Sequence, residues 1–112
     1  MDVTFIYQNI KIYSLRTILA HRCPALLKCD ELIKKKRDKK ISLTLHLRDN
    51  IAAFTYNVFL EILDFIYTDN IVFVNKSIEF ILQILYVANL IPIKRLSWLC
   101  EHYLFSILGK ND

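Results

Sequence analysis

The hydrophobic pattern changes its period several times along the chain, and each change marks an element. Val3, Phe5 and Tyr7 alternate with their neighbours, and Ile10 and Ile12 resume the alternation after Gln8-Asn9. A period of two on both sides of a short polar break predicts a hairpin. From Ser14, a candidate N-cap, the period lengthens. Leu15, Ile18, Leu19 and Arg22 fall at helical spacing, and Pro24 ends that helix and can open a short second one through Leu26 and Leu27.

The stretch Lys34–Lys40 has no hydrophobic period and is expected to be an exposed loop. Next comes the cleanest alternation in the sequence. Ile41, Leu43, Leu45 and Leu47 share one face and Ser42, Thr44, His46 and Arg48 the other, which predicts a half-buried strand. Over Thr55–Tyr67 a broad apolar face of Val58, Phe59, Ile62, Leu63, Phe65 and Ile66 predicts a strong helix. Asp69-Asn70 supplies a turn and Ile71-Val72-Phe73 a short extended piece. Asn75 or Ser77 can cap a further helix that faces Ile78, Ile81, Leu82 and Leu85 inward. Pro92 is placed to start the last helix, where Leu96, Leu99, Cys100, Tyr103, Leu104 and Ile107 repeat at three and four up to Gly109. The order of elements predicts a helix-rich α+β fold with a small three-stranded sheet and about five to six helices.

Composition narrows the class. With 112 residues there is room for one core, so residues 1–112 are read as a single domain, complete or cut from a larger protein. Apolar residues make up 54% and there is one Gly, which suits a compact domain and argues against disorder. The richest apolar segment, Val58–Val74, is interrupted by Glu61, Asp64, Asp69 and Asn70, so no membrane span is expected. The first residues lack the basic start and apolar run of a signal peptide. Three cysteines, Cys23, Cys29 and Cys100, form no disulfide framework and point to reduced thiols in the cytoplasm or nucleus.

The net charge of +4 sits largely in the run Lys34–Lys40, where six basic residues surround Asp38. Such a run can serve as an import signal, an anion patch or a solvated loop, and it lacks the aromatics of a base-stacking surface. Nucleic-acid binding through it therefore ranks last among the functions considered. His21, Cys23, Cys100 and His102 invite a zinc reading. However, the gap within each pair is one residue, where structural zinc sites use two to four, and buried thiols are the simpler account. Glu61 and Asp64 read as the polar face of a helix rather than a catalytic carboxylate pair. With no nucleophile elbow and no glycine-rich phosphate loop, no enzyme, cofactor or metal is expected.

Three segments resemble one family, the BTB/POZ domain. Asp2-Val3-Thr4-Phe5, followed by Ile18-Leu19-Ala20-His21-Arg22-Cys23-Pro24, is similar to the family opening. Leu60–Asp69, ending Tyr67-Thr68-Asp69, resembles the family's Tyr-Thr-Gly/Asp helix end. Ala88–Leu96 with Leu99-Cys100-Glu101-His102-Tyr103-Leu104 resembles its closing Leu-Cys-Glu-x-Tyr-Leu helix. The segments follow the family's order and spacing over nearly the whole chain. Departures fall at Ser14-Leu15, where the family carries Ala-His, and at Cys23-Pro24, where it carries Ser-Pro. The sequence begins at the Asp-Val strand, without the helix and strand that many family dimers exchange, and stops near the end of the family core.

The resemblance implies an interaction module that self-associates as a homodimer and can recruit a cullin scaffold as a ubiquitin-ligase substrate adaptor. The alternative it leaves open is a pure oligomerisation or scaffolding domain with no ligase role. By position, Asp2 and Arg16 match the charged pocket of the family's dimer interface, with Leu15 and His21 beside it. A partly buried Asp2–Arg16 ion pair would set specificity more than stability, and two solvated charges are the alternative. Leu27, Lys28, Tyr67 and Asp69 match the cullin-facing surface, where an aromatic with a polar tip suits an interface. The hydrophobic-x-Glu signature of ligase adaptors has only the poor copy Cys29-Asp30-Glu31 here, which favours scaffolding.

Overall fold

The computed structural model describes residues 2–109, and the chain forms two compact units that meet in sequence between Ala52 and Ala53. In the first unit β1 (Val3–Tyr7) and β2 (Ile10–Ser14) pair antiparallel, with Tyr7 opposite Ile10. Gln8 and Asn9 between them take φ of 48° and 67°. Left-handed backbone at both central residues is the twist that a two-residue hairpin turn requires. A seven-residue helix α1 (Arg16–Arg22) and a short 3-10 helix (Pro24–Lys28), opened by Pro24, follow. They lead to β3 (Ile33–Lys39) and β4 (Ser42–Leu47).

The sheet has four strands in the order β2-β1-β4-β3, with β1 and β4 parallel and the outer pairs antiparallel. Its inward face is built by alternation. Val3 and Phe5 of β1 lie opposite Leu43 and Leu45 of β4, and all four are buried. Residues paired across a ladder point to the same side of the sheet, so one register buries both strands' apolar sets together.

Three expectations change in this unit. The basic run is not a loop: Lys34 to Lys39 lie in β3, a strand beyond the three expected, and Lys40 is in the turn that follows. β3 buries only Ile33, so its own sequence shows no alternation, and its conformation comes from pairing with β4. The register shifts between Ile33 and Lys35, which inserts Lys34 as an extra residue. Ile41, expected on the buried face, is 84% exposed, because it belongs to the turn joining Lys39 to its partner Ser42. Ser14 is the buried last residue of β2 rather than a cap, and the N-cap position of α1 is Leu15.

The second unit is helical. α2 (Tyr56–Thr68) starts where Thr55 Oγ1 accepts the Val58 N–H at 3.2 Å, satisfying one of the donors a helix start leaves open. It ends at Asp69 in the left-handed conformation, whose N–H donates to the Phe65 carbonyl at 2.7 Å. Its buried face is Val58, Phe59, Ile62, Leu63, Phe65 and Ile66, as the spacing predicts, and Phe54 meets Phe59 edge-on at 5.7 Å. Ile71–Phe73 forms no strand.

Ser77 caps α3 (Ile78–Leu90) by accepting the Phe80 N–H at 3.1 Å. The helix buries Ile81, Ile84, Val87 and Ala88, while Ile78 and Leu82, expected inside, are exposed. α4 (Lys94–Leu108) starts two residues after Pro92, which lies in the preceding turn. Leu96, Cys100 and Leu104 are buried and Leu99, Tyr103 and Ile107 half-buried. Among the described residues there are thus four α-helices and one 3-10 helix, where about five to six helices and three strands were expected. The α+β class stands.

Candidate functional site

Asp2, Leu15 and Arg16, singled out in the first unit, lie at one corner, where β1 begins, β2 ends and α1 starts. Asp2 heads β1, and its carbonyl accepts the Leu43 N–H at 2.8 Å, which fastens it to β4. Its carboxylate Oδ1 accepts the Arg16 backbone N–H at 2.8 Å. Leu15 has no side-chain acceptor, so an acid fourteen residues before Arg16 does the work of the helix cap. A negative charge at that end also suits the helix dipole.

The Arg16 guanidinium turns elsewhere. It donates Nη1 and Nη2 to the two carboxylate oxygens of Asp38 on β3, at 3.2 and 3.1 Å. This two-pronged contact holds Asp38 below the ordinary carboxylate range and raises Arg16 above its usual value, the hydrogen bond being the larger cause for each. The expected Asp2–Arg16 side-chain ion pair is therefore corrected: Asp2 binds the backbone of Arg16, and the guanidinium binds Asp38. Because the partner sits on a strand that the sequence does not reveal, spacing could not have named it.

Around this charged cluster lie two exposed apolar side chains, Tyr13 and Leu15, separated by buried Ser14. α1 buries only Leu19, so much of its surface stays open. His21 is exposed near the far end of α1, away from Asp2 and Arg16. In the 3-10 helix Leu27 is half-buried and Lys28 exposed.

In the second unit Tyr67 is half-buried and Asp69 exposed at the end of α2. That end is held firmly. Thr68 Oγ1 donates to the Asp64 carbonyl at 2.7 Å, and Arg95 Nε meets Asp69 Oδ1 at 2.9 Å.

The second unit also exposes a surface that periodicity missed. Ile78, Leu82 and Tyr86 stand one turn apart along α3, all exposed. On α4, Trp98 stacks on His102 at 4.8 Å and Phe105 is 77% exposed. Beside Phe105 a recess of about 320 Å³ is lined by Leu104, Leu108 and Glu101. α3 is apolar nearly all round, so its period could not show which stripe faces in. A Trp on the expected polar side of α4 was the signal available.

All three cysteines are buried and none is in a disulfide. Burial raises Cys23, pushes Cys29 up to about 11 with help from the Glu31 carboxylate, and pushes Cys100 up to about 12 with help from Glu101. Thiols so shifted stay protonated at neutral pH and make poor nucleophiles or ligands. Among the described residues no three His, Cys, Asp or Glu side chains gather as a metal site. No helix is long and apolar enough to cross a membrane. A polar cleft of about 360 Å³ at one end of the sheet is lined by residues including Gln8, Lys34, His46 and Asp49.

What these surfaces share is contact chemistry, apolar side chains with charged neighbours. A family model described as the BTB/POZ domain matches residues 1–108, running through both units. No curated protein and no solved structure matches the chain.

Proposed function

The chain belongs to the BTB/POZ domain family, whose members are protein–protein interaction modules, and we propose that this one works by self-association, as an assembly domain. The observation that carries the reading is the corner of the first unit. Exposed Tyr13 and Leu15 lie beside the Asp2, Arg16 and Asp38 cluster. An apolar centre with a charged border is the anatomy of a protein interface. A charged group placed there fixes orientation and partner choice more than affinity. His21, further along α1, belongs to the rim of the same helix. The reading also rests on the two units acting as one domain of a cytoplasmic or nuclear protein.

Light scattering on a size-exclusion column tests this over a range of protein concentrations. The expected mass is twice 13.3 kDa at micromolar concentration, falling to the single-chain mass when Tyr13→Thr and Leu15→Glu are combined. A single-chain mass for the unmodified protein at every concentration rejects the reading.

A second reading, recruitment of a cullin scaffold as a ubiquitin-ligase adaptor, is favoured by the end of α2. Tyr67 and Asp69 sit on a helix end held by Thr68 and Arg95, and a surface fixed in advance loses less entropy on binding. Leu27 and Lys28 would serve the same partner. Mixing the protein with a purified cullin N-terminal domain on the same column decides it. The adaptor reading expects a joint peak that Tyr67→Ala removes, and pure scaffolding expects separate peaks.

A further inference from the structure

We propose that β3 is a docking edge for an acidic, extended segment of a partner protein, which joins the sheet as a further strand. Three observations carry this. First, β3 is the terminal strand in the order β2-β1-β4-β3, and every residue from Lys34 to Lys39 is exposed. In a terminal strand about half of the backbone N–H and C=O groups point away from the sheet, and these are the groups that capture an added strand.

Second, the cations are arranged in a row. Lys35, Arg37 and Lys39 lie opposite His46, Thr44 and Ser42, and so share the outer face of the sheet. Alternate residues of a strand repeat every ~6.8 Å. An added strand has the same repeat, so acids at every second position would meet this row side chain for side chain.

Third, the one acid of the strand is already engaged. Asp38 is bound by Arg16, and among the described residues Lys34, Lys35, Lys36, Arg37 and Lys39 form no ion pair. The charge also selects the partner. A second copy of β3 would bring cation against cation, and a neutral strand would cover the cations without compensating them. An acidic strand satisfies both the backbone and the charge.

A nucleic acid fits less well. Single strands bind through a basic groove with aromatic platforms beside it. On the outer face the neighbours of the cationic row are Ser42, Thr44 and His46 on β4 and Thr4 on β1. The tyrosine of that face, Tyr13, lies on β2 at the opposite edge, about 14 Å away at three strand spacings, which leaves the His46 imidazole as the ring beside the row.

Fluorescence anisotropy with the full chain tests the proposal, using labelled peptides of alternating Glu and Val. One peptide is unmodified, and two are N-methylated on alternate residues, one set for each edge of the extended peptide. A single-stranded oligonucleotide of equal charge is the fourth probe. The unmodified peptide should bind, with one N-methyl pattern abolishing binding and the other leaving it nearly intact. Combining Lys35→Glu, Arg37→Glu and Lys39→Glu should weaken it about 100-fold, as expected for the loss of several charge-assisted contacts. Equal affinity for both N-methyl patterns would mean attraction without strand addition and would overturn the proposal. So would absence of peptide binding, or tighter binding of the oligonucleotide. The peptide modifications leave the protein unaltered, so the result does not depend on how the substituted chain folds.

Discussion

β3 and β4 are the two sides of one hairpin, joined through six paired positions and a tight turn, yet they hold their places for opposite reasons. β4 turns Leu43, Leu45 and Leu47 inward, all buried, whereas β3 buries Ile33 and leaves Lys34 to Lys39 exposed. β4 is anchored by its own side chains. β3 is anchored by β4, through backbone hydrogen bonds, and by the Arg16 grip on Asp38. A strand can thus be specified by its neighbour, and the side chains so released are available for binding.

Substitution at matched places in the two strands should separate these two modes of support. Leu45→Ala removes a fully buried side chain and should cost about 2–5 kcal/mol, the range for such truncations in a packed core. Urea denaturation followed by circular dichroism measures it, and a loss under about 1 kcal/mol would show that β4 is not the anchor. Asp2→Ala should have an intermediate effect. It deletes the acceptor that caps α1 from the head of β1, a change of roughly 1 kcal/mol for helix caps. The same denaturation series reads it, and Asp2→Asn, which keeps an acceptor oxygen, should recover most of the loss.

The effect should nearly vanish in β3. Lys35→Thr and Arg37→Thr, made together, exchange exposed cations for a residue that suits strands, and stability should move by no more than about 0.5 kcal/mol. A loss comparable to that of Leu45→Ala would mean that the basic side chains themselves hold the strand, and the contrast would fail. A retained stability with weakened binding of acidic peptides would sharpen it, since the same side chains would then serve recognition and not folding.

The contrast also explains which parts of the molecule its sequence discloses. α2 is legible down to its buried face, because Asn57, Glu61 and Asp64 mark a polar side opposite Val58, Phe59, Ile62 and Ile66. β1, β2 and β4 are legible for the same reason at period two. β3 is not, because a strand with one buried residue carries no contrast between its faces. α3 fails in the other direction. With apolar residues on nearly every side, its inward stripe of Ile81, Ile84 and Ala88 cannot be told from its outward stripe of Ile78, Leu82 and Tyr86.

The candidate site follows the same division. Its residue types were readable, and Asp2 and Arg16 do meet. The meeting of guanidinium and Asp38 required the β3–β4 register, which no local pattern encodes. The ridge on α3 and the stacked Trp98–His102 pair are likewise products of packing. Family resemblance named Asp2, Arg16, Leu15 and His21 as one set, while the hydrogen bonds of Asp2 and Arg16 came only with the fold.

The smallest effect concerns the one charged contact that ties β3 to α1. Arg16 holds Asp38 below its ordinary value of 3.8, so the carboxylate is more acidic in the folded chain than in the unfolded one. The contribution of a group so shifted is fully present above the unfolded pKa and is lost as pH falls through the folded pKa. Stability should therefore be insensitive to this pair at neutral pH and decline on its account only below about pH 4. Both side chains are partly exposed, at 38% and 46%, and solvent screens such pairs, so the decline should be slight. Comparing thermal midpoints of the unmodified chain and of Asp38→Asn between pH 7 and pH 3 isolates it. The two curves should converge toward low pH, where the protonated Asp38 carboxyl and the amide that replaces it are equally uncharged. Curves that stay parallel would show that the contact contributes nothing to holding β3, and the strand would then depend on its ladder with β4 alone.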